Sequence, residues 1–316
     1  MILVVSSQTD VHALAVMQEL AQQKRTAELF DLSLFPQQLR LSMCYAAAGG
    51  HHFSIQRQDG TRLDLAECRS IWWRRPQAFV LAPDLKQPAY RNFALSESHE
   101  ALTGLWQALN SFWVNPPLSD DAAHRKAYQL KIAQEVGLAI PHTLISNDPT
   151  AVNEFIASQG YERTIYKAFS ATEQEWRETR IVRQEELHLI ESVKYAPVIF
   201  QEYIPARYDL RITIVGDHIF PAAIYSQETA YPVDFRMDIA NARIEAVTLP
   251  EQIQTRLHAL MARLGLVYGA IDMRMTPHEE YVFLEINPAG QWLFVQERTQ
   301  QPISERIAHI LMSHDS

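Results

Sequence analysis

The sequence predicts an α/β protein, grading into α+β toward its C-terminal end, and three observations carry that expectation. Met1-Ile-Leu-Val-Val5 is an apolar run, a helical pattern covers Val11 to Gln23, and a second short run follows at Ala27–Phe30. Such β-α-β alternation is the signature of a parallel layered domain. Between Glu251 and Leu264, Ile253, Leu257, Leu260, Met261 and Leu264 recur at helical spacing. Directly after that helix, Tyr268–Met275 and Tyr281–Ile286 form two neighbouring strand patterns.

The remaining elements follow in chain order. The opening helix counts Leu14 and Leu20 among its apolar positions. Phe53–Gln56 and Arg62–Leu65 flank Asp59-Gly60, a hairpin signal. Cys68–Trp73 predicts a strand that ends in Arg74-Arg75-Pro76, and a long helix is expected from Tyr90 to Asn110. Asn115-Pro116-Pro117 marks the first domain boundary. Beyond it, Asp120 and Asp121 suit the first turn of a helix, which should run to Gly137. A helix over Pro149–Gln159 and a strand over Arg163–Lys167 come next, then strands at Thr179–Arg183, Leu187–Glu191 and Val198–Tyr203. Leu210–Val215 and Ile219–Ile224 flank Gly216-Asp217 as a hairpin, and a last helix is expected over Ile303–Met312.

Composition narrows the function classes. The chain has 316 residues and only 10 glycines, against an average near 7%. Neither G-x-G-x-x-G nor G-x-x-x-x-G-K-[ST] occurs, so the two best-known phosphate cradles are excluded. A net charge of −9 offers no footprint for nucleic acid. No apolar stretch reaches the length of a membrane span, and the N-terminus lacks the basic region of a signal peptide. Cys44 and Cys68 fit neither a zinc pattern nor a redox motif and suit a reducing compartment, so a cytoplasmic protein is expected. Only six of the 28 basic residues are lysines, which draws attention to each one near a motif.

The strongest chemical signal is Ala270-Ile-Asp272-Met-Arg274 followed by Phe283-Leu-Glu285-Ile-Asn287. Glu285 and Asn287 are two apart and share a sheet face; if the two strands pair antiparallel, Asp272 joins them. Three hard oxygen donors suit Mg²⁺, which takes its other ligands from water and substrate phosphates. The plainer reading is a solvated sheet face. Lys126 and Lys167, on separate elements, would neutralise a triphosphate beside such an ion, although exposed lysines are mostly just solvated. Phe200-Gln201-Glu202-Tyr203-Ile204-Pro205 is a strand that turns into a loop and can wall an adenine, and Asp209 could reach a ribose. Taken alone, that segment is an ordinary strand and turn.

Together, Lys126, Lys167, Gln201-Glu202-Tyr203-Ile204, Asp209, Arg211, Asp272, Glu285 and Asn287 resemble the ATP-grasp superfamily of carboxylate–amine ligases over about residues 115–312. The resemblance implies ATP and Mg²⁺ as cofactors. It assigns the two lysines to phosphates, residues 201–204 to adenine, Asp209 to ribose, and Asp272, Glu285 and Asn287 to metal. A narrower similarity rests on Ile71-Trp-Trp-Arg-Arg-Pro76, Asn115-Pro-Pro, Tyr166-Lys-Ala-Phe-Ser-Ala-Thr172, Asp209-Leu-Arg211 and Asn287-Pro-Ala-Gly-Gln-Trp292. These segments look like the maturases of microviridin-type ribosomal peptides, the graspetide synthetases. Gln296-Glu297-Arg-Thr-Gln-Gln-Pro302 departs from them, since the family more often shows Thr-Gly before the proline.

That similarity implies a pre-ATP-grasp domain over 1–115 and ATP-grasp subdomains over 116–200 and 201–316. It also implies ATP-dependent cross-linking of Asp or Glu side chains of a precursor peptide to Ser/Thr hydroxyls (ω-ester) or Lys amines (ω-amide). The peptide would carry a leader and an acidic, hydroxyl-rich core, and the family admits a homodimer. Lys167, Arg211 and Arg274 are the expected catalytic residues, the two arginines orienting the acceptor carboxylate or its acyl phosphate; bonding to neighbouring acids is their simpler role. From Lys167 to Gly216 there is no glycine, so Ser170 and Thr172 are expected to cover the phosphates with hydroxyls. Trp176, Arg177 and Arg180 are candidates for peptide contact, and Arg74-Arg75 for a substrate or subunit contact or a solvated strand end. Competing readings are a ligase that adds an amino acid to a protein tail or small acid, a non-catalytic ATP-binding regulator, and a kinase.

Overall fold

The computed structural model describes residues 1–169 and 179–315. The chain divides into two compact units, Met1–Asp120 with Gly265–Tyr268 and Pro302–Ser316, and Asp121–Leu264 with Gly269–Gln301.

In the first unit β1 (Ile2–Val5), α1 (Val11–Gln22) and β2 (Ala27–Phe30) realise the opening β-α-β. Asp10 caps α1 by accepting a hydrogen bond from the His12 N–H at 2.9 Å. Leu20 points into the core, whereas Leu14 faces solvent, so only part of the expected apolar set is buried. A three-stranded antiparallel ribbon follows, β3 (Arg40–Tyr45), β4 (His51–Gln56) and β5 (Arg62–Asp64). Gly60 takes φ +87° in its turn, a conformation only glycine adopts freely. β6 (Ser70–Trp73), α2 (Pro88–Ala108) and β7 (Phe112–Val114) complete a parallel sheet in the order β2-β1-β6-β7. Leu3, Val5, Phe30, Ile71 and Trp106 pack its core, each such side chain stabilising the fold by about 1.5–3 kcal/mol. Arg74, at the end of β6, is buried and ion-paired with Asp10 at 3.3 Å, so it is not a solvated strand end.

The second unit holds two sheets. The single helix expected from Asp120 to Gly137 is broken into α3 (Pro117–His124) and α4 (Lys126–Glu135). Arg125 supplies the extended residue between them, with φ −75° and ψ 106°. β8 (Thr143–Ser146), α5 (Pro149–Gln159), β9 (Thr164–Lys167), β10 (Arg180–Ile181) and β11 (Val198–Glu202) form one layer, with antiparallel strands in the order β10-β9-β11-β8. The strand expected at Leu187–Glu191 is instead part of a 3₁₀ stretch, Gln184–Tyr195. Ile190 and Val193 are three apart and both enter the core beside Phe155 and Phe200, a helical rather than an alternating pattern.

The second sheet comprises β12 (Tyr208–Val215), β13 (His218–Ile224), β14 (Ile244–Ala246), β15 (Tyr268–Met275) and β16 (Tyr281–Asn287), in the order β14-β13-β12-β15-β16. α6 (Glu251–Leu264) buries all five of its expected apolar residues. α7 (Leu293–Thr299) follows the sheet, and α8 (Ile303–Ser313) lies in the first unit against α1. Among the described residues no helix is long and apolar enough to cross a membrane.

Candidate functional site

The site is built on the pairing of β15 and β16. They run antiparallel with Asp272 opposite Glu285, and the pleat turns Asn287 to the face of Glu285. The register shifts just beyond Asp272, where Met273 pairs with Phe283 and Leu284 is the extra residue. Gly290 fixes the turn behind Asn287: a Cβ there would lie 2.3 Å from the Ala270 Cβ, so only glycine permits this approach. In that turn Asn287 Oδ1 accepts a hydrogen bond from the Ala289 N–H at 2.9 Å.

Both lysines reach the same place. The break at Arg125 makes Lys126 the first residue of α4, and its Nζ donates to Glu285 Oε2 at 2.7 Å. The N-terminus of α4 adds its own positive end to that ammonium. Lys167 closes β9 and donates to Gln201 Oε1 at 3.1 Å, while Gln201 Nε2 donates to Thr143 Oγ1 at 2.8 Å. Gln201 is therefore a buried relay that holds Lys167 in place.

These groups line one cavity of about 580 Å³. Its walls include Lys126, Lys167, Gln201, Glu202, Ile204, Asp209, Asp272, Arg274, Glu285 and Asn287, drawn from five strands, one helix and a loop. Tyr203 is not among the lining residues, its ring standing 5.3 Å from the Arg274 guanidinium, and Arg211 is likewise outside the lining. Ser170, Thr172, Trp176 and Arg177 lie outside the described residues, and Arg180 opens β10.

The electrostatics are those of a partly desolvated cluster. Burial pushes the Asp272 carboxyl up to about 6, with Arg211 opposing and Glu285 reinforcing the shift. Burial pushes Glu285 the same way, but Lys126, Lys167 and Arg236 outweigh it and hold that carboxyl below its ordinary range. Lys167 is lowered, chiefly by burial. Three cations thus crowd two carboxylates in a partly desolvated space, an arrangement that favours polyanions.

Asp209, Arg211 and Arg274 are tied to one another's strands. Arg274 Nε donates to Asp209 Oδ1 at 2.8 Å, and its other nitrogens donate to the carbonyls of Ile204 at 2.7 Å and Val233 at 2.8 Å. Asp209 also accepts from the Ser226 hydroxyl, so a ribose contact there competes with two bonds it already makes. Arg211 Nε stands 2.9 Å from Asp272 Oδ1, and its guanidinium lies 5.6 Å from the rings of both Phe235 and Phe294. No hydrogen bond reaches that Asp272 oxygen.

Sequence reasoning missed Asp234 and Arg236, which line the cavity from the segment between β13 and β14. That segment shows neither strand nor helix periodicity. A signal was nevertheless present: Asp234-Phe-Arg236 repeats the spacing of Asp209-Leu-Arg211 and Asp272-Met-Arg274.

Residues 1–121 match the family model of the MvdD pre-ATP grasp domain. No curated protein matches. Among solved structures, the chain is similar to macrocyclase MdnC from Microcystis aeruginosa MRC, bound with precursor peptide MdnA, at 32% identity over 99% of both chains and a TM-score of 0.86. It is similar to a Chryseobacterium gregarium RiPP-associated ATP-grasp ligase in complex with ADP and a leader and core peptide, at 25% identity over 99% of this chain and 96% of that one, with a TM-score of 0.89. It shares its fold with ATP-grasp ligase PsnB, complexed with a phosphomimetic variant of a minimal precursor, Mg and ADP, at 24% identity, 100% and 98% coverage and a TM-score of 0.79.

Proposed function

The chain belongs to the family of RiPP-associated ATP-grasp macrocyclases, and from that premise we propose that it closes rings in a ribosomal precursor peptide by activating Asp or Glu side chains with ATP. It is an ADP-forming ligase. The observation that carries this reading is the register of Asp272 opposite Glu285, with Lys126 and Lys167 on the same cavity.

An oxygen of the peptide carboxylate attacks the γ-phosphorus of ATP. The bond to the bridging oxygen breaks, ADP departs and an acyl phosphate remains on the peptide. A Ser/Thr hydroxyl or Lys amine then attacks the acyl carbon, the C–O bond to phosphate breaks, and the proton of the nucleophile leaves with the phosphate. The first step brings anion to anion, so the protein contributes positioning and charge neutralisation. Lys126 and Lys167 supply positive charge at the phosphates. The segment from Gln201 to Ile204 receives the adenine, with the Tyr203 ring set against the Arg274 guanidinium. Arg211 and Arg274 act on the acceptor by holding Asp272 and Asp209 in place.

The donor set fits Mg²⁺: two carboxylates and an amide, all hard oxygens, including a buried Asp272 oxygen that no hydrogen bond reaches. Asp272, Glu285 and Asn287 would hold the ion, which would offset the negative charge of the phosphates. Both cysteines are free thiols, which supports residence in the reducing cytoplasm. The sheet of residues 143–202 and that of residues 208–287 support a division into two ATP-grasp subdomains after a pre-ATP-grasp domain.

Mass spectrometry tests the reading. A precursor with a leader and an acidic, hydroxyl-rich core, incubated with enzyme, ATP and Mg²⁺, should lose one water per bond formed, as ester or amide. A gain of one phosphoryl group without water loss would instead identify a kinase.

A further inference from the structure

The proposed ligase chemistry leaves Arg74-Arg75 unused. The fold places that pair at the edge of the parallel sheet in the first unit. The chain leaves β1 for β2 on one side and returns across β1 to β6 on the other, giving the order β2-β1-β6-β7. Val5 and Trp73 are the last residues paired between β1 and β6, so Ser6 and Arg74 begin the two loops that part there. In open α/β sheets a crevice lies outside the carboxyl ends of the strands where their order reverses, and ligands bind in it. The N–H groups of both arginines donate to the Val5 carbonyl, at 3.0 Å and 3.3 Å, which fastens the pair against the end of β1.

The two side chains then differ. Arg74 is 1% exposed and paired with Asp10, whose oxygens also accept from the Ser6 hydroxyl at 2.8 Å and the His12 N–H at 2.9 Å. Arg75 is half-buried, and its hydrogen bonds are made by its backbone, the carbonyl accepting from Gln77 at 2.9 Å. Among the described residues its guanidinium meets no acceptor. Other half-buried arginines of this unit do: Arg57 pairs with Glu28 at 2.7 Å, and Arg91 donates to the Leu85 carbonyl at 3.0 Å. Holding a guanidinium half out of water without an acceptor is unfavourable. One carboxylate, Asp10, stands against two arginines. His12 feels that excess: burial lowers its proton affinity first, and Arg74 and Arg75 lower it further.

We propose that the crevice between β1 and β6 is a carboxylate-binding subsite for the precursor peptide. The Arg75 fork receives one acidic group of that peptide, and Arg74 and Asp10 are positioning residues. The proposal rests on the ligase reading above and deepens it, by naming where an acidic substrate is held. A carboxylate fits better than a phosphate. It carries one negative charge, equal to the excess at the crevice, and its two oxygens match the guanidinium fork.

The competing role is a solvated strand end. Calorimetric titration of the full-length protein with the leader-and-core precursor of the mass-spectrometric assay separates the two. Arg75→Gln should weaken the peptide by about 10–100-fold, the loss of charge-assisted hydrogen bonds, with MgATP affinity unchanged within about twofold. Its unfolding midpoint should equal or exceed that of the wild type, because the charge of Arg75 repels that of Arg74 and no partner is lost. Replacing the peptide's Asp and Glu residues one at a time by Asn and Gln, and separately amidating its C-terminus, locates the acidic group. For one of these changes the wild type should lose as much affinity as Arg75→Gln does, and Arg75→Gln should lose nothing more. Arg75→Lys should restore only part of the affinity, since an ammonium lacks the fork. In turnover the KM for peptide should rise with kcat little changed.

Wild-type peptide affinity in Arg75→Gln overturns the proposal. So does a loss that adds to every change made in the peptide, or one accompanied by a lower unfolding midpoint. A protein that binds the peptide through Arg75 yet never removes water from it would overturn the ligase reading and leave this subsite standing.

Discussion

The Asp-x-Arg tripeptides on β12 and β15 and the one in the segment between β13 and β14 have the same composition and opposite consequences. On neighbouring strands, alternate residues share a face, so the acid and base of one tripeptide meet those of the other and are sealed into the wall. In the irregular segment no second strand is available, and Asp234 and Arg236 close on each other at the cavity edge. The backbone, not the tripeptide, decides whether an arginine becomes structural or faces a ligand. Wall groups should therefore be read out as stability, and cavity groups as turnover.

Glu285→Gln is the largest test of that division. ADP release should fall at least about 10³-fold while the unfolding midpoint stays near that of the wild type. A stability loss without loss of turnover would make Glu285 a wall residue. The wall itself is tested by Asp209→Ala, which leaves Arg274 buried without its carboxylate. Breaking such a pair costs about 3–5 kcal/mol, measurable by urea unfolding. Asp234→Ala should cost no more than about 1 kcal/mol, because water reaches Arg236; equal losses in the two variants would abolish the distinction. Lys167→Ala should weaken ATP binding by about 10–100-fold, and unchanged affinity would return that lysine to the surface.

The last effect is confined to acid pH and lies in the first unit, where another buried Asp–Arg pair, Asp10–Arg74, sits beside His12. Burial, aided by Arg74, pulls the His12 pKa down from 6.5 to about 3. The folded protein then keeps His12 neutral in a range where the unfolded chain protonates it. Stability should fall as pH drops from about 6.5 toward 3, by up to about 1.4 kcal/mol per pH unit. His12→Gln should flatten that slope. An unchanged slope would remove His12 from the acid response.

Much of this was legible in the sequence, because periodicity and turn chemistry are local. The apolar stripe of α6 and the turns at Gly60 and Gly216 needed no tertiary information. The pairing of Asp272 with Glu285 was legible because two adjacent strands leave few registers that keep their apolar residues inside. The extra residue Leu284, the helix break at Arg125 that frees Lys126, and the 3₁₀ stretch at Gln184–Tyr195 depend on packing that local patterns do not encode. Arg236 was missed because its segment has no period; the repeated Asp-x-Arg spacing was in the sequence, but only the fold brings the three tripeptides to one cavity.

Activation of a peptide carboxylate through phosphate is tested by a precursor whose Asp and Glu side chains carry a heavy oxygen isotope, incubated with enzyme, ATP and Mg²⁺. For every ring closed, one labelled oxygen should leave the peptide and appear in inorganic phosphate. Rings that form while the label leaves only as water would exclude an acyl phosphate.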